Sequence, residues 1–129
     1  MQAHEISSAV RRSARIDTPE HADAAVRATL TVLGRRLLPT EADDLAAQLP
    51  GEYAGCLHSD AEVERFGLGE FYRRVATEEG WGASPEQARQ HARAVMTAIR
   101  EGVGAEYRHV LDQLPNDWAD LTVTENVIH

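Results

Sequence analysis

Glu41-Ala42-Asp43-Asp44-Leu45-Ala46-Ala47-Gln48-Leu49-Pro50 is answered, 65 residues later, by Glu106-Tyr107-Arg108-His109-Val110-Leu111-Asp112-Gln113-Leu114-Pro115. Both stretches open on Glu, carry an aliphatic residue at the fifth position and end in Gln-Leu-Pro. Leu45 and Leu49, like Val110 and Leu114, are four residues apart, which puts each pair on one helical face. Proline then ends the helix, because it lacks a donor N–H and pushes the residue before it out of the helical region. Gln-Leu-Pro therefore reads as a helix–turn–helix corner used twice.

The match extends outward from these corners. At the same offset of 65, Val10 falls on Val75, Ile16 on Trp81, Tyr53 on Trp118 and Ala54 on Ala119. Between residues 19 and 37 the offset becomes 66: Pro19-Glu20 falls on Pro85-Glu86, Ala22 on Ala88, Arg27-Ala28 on Arg93-Ala94 and Thr31 on Thr97. Leu30, Leu33 and Leu37 fall on Met96, Ile99 and Val103. Self-similarity at a fixed period is a statement about fold. The expectation is an all-α chain of about eight helices, a four-helix unit written twice and packed as one pseudo-two-fold bundle.

The expected units are residues 3–57 and 68–122 within a single domain 1–122, with a linker at 58–67 and a tail at 123–129. About 60 residues bury too little surface to be more than marginal alone, so the halves should share a core. In each unit the long second helix is the best signalled. Thr18-Pro19 and Ser84-Pro85 place an N-cap hydroxyl before a proline at the first helical position, and Gln87 completes a capping box with Ser84. Apolar residues then recur at helical spacing over 19–37 and 85–103.

These segments resemble a known family. A long helix with "RATLTVLGRRL" followed by "TEADDLAAQLP", then "EFYRRVA", "SPEQARQHARAVMTAIREGV" and "LDQLP", is similar to domain of unknown function 2267, over about residues 5–121. Ile6 stands where the second copy has Phe71. The resemblance implies a two-repeat helical bacterial protein and supplies no catalytic residues.

Charge and cysteine content narrow the function. The net charge is −8, and the basic residues are all Arg. Residues 1–38 carry six Arg and four acids, 39–70 one Arg and eight acids, and 71–129 six Arg and nine acids. That balance argues against a binder of phosphate backbones, whose affinity comes from clustered positive charge. Cys56 is the one cysteine, so no intrachain disulfide forms. No apolar stretch in Met1 to Arg15 suits a signal peptide, and no run suits a membrane span. The location expected is the cytoplasm.

Among residues that might carry chemistry, Arg27 and Arg93 stand first, identical in both copies. They are read as local partners of acids or carbonyls, or alternatively as anchors of an anion or small-ligand site between the halves. Gln48 and Gln113 are read as caps for orphan groups at the corner. A di-metal site built on Glu41, Asp44, Glu106 and His109, with Glu20 and Glu86, has nearly the right count but poor placement. The six His show no zinc spacing, and His91 falls on Ala25. No catalytic motif, cofactor or metal is expected. The aromatics fall mostly on core-matched positions, and an exposed one would mark an interface. The function expected is contact with another protein or with a second copy, with no nucleic-acid or membrane partner.

Overall fold

The computed structural model describes residues 1–57 and 62–122. Residues 58–61 of the expected linker and the expected tail 123–129 lie outside the described residues. Among the described residues there are eight α-helices and no strand: α1 (Ala3–Ala14), α2 (Pro19–Arg36), α3 (Pro39–Ala46), α4 (Gly51–Ala54), α5 (Leu68–Glu79), α6 (Pro85–Val103), α7 (Ala105–Asp112) and α8 (Ala119–Thr122). A 3₁₀ turn, Gly55–Leu57, follows α4, and another, Asn116–Trp118, precedes α8. The all-α expectation holds.

The helix starts follow the local chemistry. Thr18 Oγ1 accepts the His21 N–H at 3.1 Å, and Ser84 Oγ accepts the Gln87 N–H at 3.1 Å. The Gln87 amide oxygen returns a bond to the Ser84 N–H at 2.9 Å, completing the capping box. The two Gln-Leu-Pro corners have the same backbone. In each, the N–H groups of Gln and Leu reach back three residues, Gln48 to Leu45 and Leu49 to Ala46, Gln113 to Val110 and Leu114 to Leu111. Pro50 and Pro115 then act as N-caps whose carbonyls accept from Tyr53 and Trp118, both at 2.9 Å.

Packing is crosswise. α1 lies against both α6 and α2, and α5 against both α2 and α6, while α2 and α6 also touch each other and α3 meets α7. The fully buried side chains include Ile6 of α1, Leu30 and Leu33 of α2, Phe71 of α5 and Met96 and Ile99 of α6. Burying each such side chain is worth roughly 1.5–3 kcal/mol, and these four helices pool theirs in one core. The connection into α5 is docked as well: Arg36 Nε donates to the Phe66 carbonyl at 3.0 Å, and Glu64 accepts from Arg74 at 2.9 Å.

Two positions depart from their aligned partners. Ile16 is buried at 6% exposure, whereas Trp81 is 58% exposed. Cys56 is only half-buried, and its neighbour Leu57 is fully buried, so Leu57 fills the kind of place that Leu121 fills.

Candidate functional site

Arg27 is held locally. Its Nε donates to Asp23 at 2.8 Å, an Nη donates to the Glu52 carbonyl at 3.3 Å, and its guanidinium lies 5.4 Å from the Tyr53 ring centroid. Asp23 also accepts the Tyr53 hydroxyl at 2.7 Å. The shallow cleft beside it holds Glu20, Asp23 and Glu52 with Arg27, a charge balance that repels anions. Arg93 is engaged too, and acts electrostatically on Tyr72 and Asp120. There Asp120 accepts two bonds from Arg89, at 2.9 and 2.7 Å, and one from the Tyr72 hydroxyl at 2.7 Å. Both arginines thus border an Asp–Tyr network. Gln113 reaches the N-cap of α3, its Oε1 accepting the Leu38 N–H at 3.4 Å, while Gln48 is exposed.

Some of the carboxylates weighed for a metal do meet. Glu41, Asp44 and Glu106 have oxygens within 4.8 Å of one another where α3 packs on α7, and His109 Nδ1 lies 3.4 Å from Glu106. Glu86 instead pairs with Arg89 on its own helix at 3.4 Å. This group is partly exposed, with Asp44 on the surface, although Glu106 Oε2 is itself buried without a partner among the described residues.

A second cluster is different in kind. His21 sits in the first turn of α2, Glu79 is the last residue of α5, and His91 lies in the second turn of α6. His21 Nε2 and His91 Nδ1 lie 2.6 and 2.7 Å from the same oxygen, Glu79 Oε2. Written as N–H donors, both rings donate to one carboxylate oxygen. The Glu79 side chain has no solvent exposure, His91 is buried and His21 half-buried. The other oxygen, Glu79 Oε1, is buried and has no hydrogen-bond partner among the described residues. The two imidazoles meet edge to face at 5.4 Å.

Trp81 covers this cluster. Its ring stacks on His21 with centroids 4.8 Å apart and planes 3° from parallel. The backbone is fixed by an unusual turn: Gly80 and Gly82 have φ of 70°, and Trp81 itself has φ of 56°. A bulky side chain in that left-handed region costs about 1–2 kcal/mol. The stacking contact offsets part of that strain and holds the indole over His21.

The local sequence gave no warning of this convergence, because its three members come from three helices. A signal exists in the internal alignment. His21 falls on Gln87, His91 on Ala25 and Glu79 on Ala14, so all three lie where the copies differ. Glu79 and His91 also extend the apolar stripes of α5 and α6, four residues after Val75 and three after Ala88. Polar residues on a core-facing stripe, absent from the other copy, are the mark that reading each histidine by spacing alone passes over.

Among the described residues no helix is long and apolar enough to cross a membrane. Among curated proteins none matches the chain. Residues 3–121 match the model of a family described as an uncharacterized conserved protein, and the chain belongs to that family, DUF2267.

Proposed function

We propose that the protein is a cytoplasmic bacterial binding module that works by contact with another protein, with Trp81 as the anchor of the contact. The observation that carries this is the indole itself, 58% exposed yet held rigid by a left-handed turn and by His21. A preorganised aromatic loses little entropy on docking, and such residues dominate interface energetics. The net charge of −8 favours a partner with a basic rim over a nucleic acid. Within this reading the chain is a duplicated four-helix unit, residues 3–57 and 68–122, supported by the two like corners and the crosswise packing of α1 on α6 and α5 on α2. The alternative, a ligand or anion site on Arg27 and Arg93, is weakened by the local engagement of both side chains.

Affinity capture from the native host with wild type and Trp81→Ala tests this. The expected result is a protein recovered with wild type whose recovery falls at least about tenfold with the variant, a loss of the size seen when an aromatic anchor is truncated. Equal recovery by both would sink it. Light scattering of the purified chain separates a second copy from a foreign partner.

A further inference from the structure

We propose that His21, Glu79 and His91 form a binding site for one divalent transition-metal ion of the zinc class. The donor set is two imidazole nitrogens and a carboxylate oxygen, a combination that suits zinc and its neighbours and leaves a coordination position open. The three donor atoms lie within 4.8 Å of one another. Tetrahedral bonds of about 2.0–2.2 Å separate ligand atoms by roughly 3.4 Å. The present separations of 2.6 and 2.7 Å need therefore open by less than about an ångström.

Three features of the surroundings favour a cation over a hydrogen-bonded latch. Glu79 is an acid at the last residue of α5, where the helix dipole opposes negative charge, and its side chain is fully buried. Among the described residues its Oε1 has no hydrogen-bond partner, an unmet buried polar atom that a nearby cation would stabilise. The stacked Trp81 ring shields His21 from water. The fold does not demand these residues either, because the aligned positions are filled by Gln87, Ala14 and Ala25. A ligand nitrogen must present its lone pair. Any proton on His21 Nε2 or His91 Nδ1 therefore moves to the other ring nitrogen or leaves to solvent as the ion enters.

The test uses the full chain without a histidine tag, freed of metal by chelator dialysis. Calorimetric titration with zinc chloride is expected to give one ion per chain. His91→Ala and His21→Gln, which install the residues found at the aligned positions, should each weaken binding at least about tenfold. His109→Ala, in the acidic cluster on α3 and α7, should leave it unchanged. Circular dichroism checks that the variants fold. A second measurement needs no variant: cobalt(II) bound to wild type should show a visible spectrum of nitrogen and oxygen ligation and quench the emission of the overlying Trp81. Several outcomes overturn the proposal: no zinc uptake by wild type, uptake surviving both His variants, uptake lost in His109→Ala, or a thiolate–cobalt band implicating Cys56.

Discussion

Asp120 shows what a single residue does in this fold. Arg89 grips both carboxylate oxygens, and Tyr72 adds a third bond. The Arg89 guanidinium, followed by the tyrosine hydroxyl, outweighs burial and holds the Asp120 carboxyl down at about 2, against an ordinary 3.8. A depressed acid stabilises the folded state above its unfolded value and loses that contribution as pH falls through its folded one. Asp120→Asn should therefore lower stability at pH 7 by about 1–2 kcal/mol, the worth of a half-exposed charge-assisted bond. The gap to wild type should shrink as pH drops from 4 towards 2, read from urea midpoints at each pH. A gap that persists undiminished at pH 2 would assign the effect to packing. A second Asp–Tyr pair uses different positions: Asp23 stands where α6 has Arg89 and accepts from Tyr53, whose own aligned residue is Trp118. Arg27 and Arg93, identical in the two copies and read first as local partners, each border one of these networks. His21, Glu79 and His91 stayed hidden because their partnership is tertiary and each is unremarked in its own helix.

At the scale of elements, the joint between α2 and the 3₁₀ turn Gly55–Leu57 leaves no room for a side chain at Gly34. A Cβ on Gly34 would stand 2.5 Å from the Leu57 carbonyl oxygen and 3.0 Å from its carbon. Backbone cannot swing aside as a side-chain end can, so the turn must move or the helix must. Gly34→Ala should destabilise by about 2–3 kcal/mol, the range of overpacked cores, although alanine is the better helix former by roughly 1 kcal/mol. Thermal melts check this, and a variant as stable as wild type would mean that the turn is free to shift. Most of the element pattern could be read from the chain. The caps at Thr18 and Ser84 and the prolines at 50 and 115 are local signals, and the helices begin and end within about a residue or two of where those signals put them. What could not be read is which helix packs on which. The apolar stripe of α1 suits α2 or α6 equally, and in the structure α1 packs on both, as α5 does. The turn that displays Trp81 was also illegible, since its aligned residue Ile16 is core and nothing in Gly80-Trp81-Gly82 says which way the indole faces.

The packing of α1 on α6 and of α5 on α2 predicts that the described residues unfold as one cooperative unit. With α1 against α6 and α5 against α2, neither half can open without stripping apolar surface from the other. The three tyrosines offer a probe of that unity, because they lie on α4, α5 and α7 and all are buried. Burial, followed by the bond to Asp23 or Asp120, pushes Tyr53 and Tyr72 well above the ordinary 10.0, and burial alone pushes Tyr107 up. An acid with a raised value holds its proton in the folded state while the unfolded chain loses it. The stabilisation is thus complete below pH 10 and is lost as pH climbs towards the folded values. Each tyrosine removes about 1.4 kcal/mol of stability per pH unit in that window. Tyr53 and Tyr72 together amount, within two pH units, to a large fraction of the roughly 5–15 kcal/mol by which a domain of this size is held folded, and Tyr107 acts in the same direction. Alkaline titration should therefore show little tyrosinate absorbance near pH 10. It should then show a single steep rise, coincident with the loss of helical circular dichroism, as all three ionise on unfolding. Gradual tyrosinate formation around pH 10 with the helices intact would mean that the buried rings reach solvent without global opening. Two separated steps would mean that the halves unfold independently.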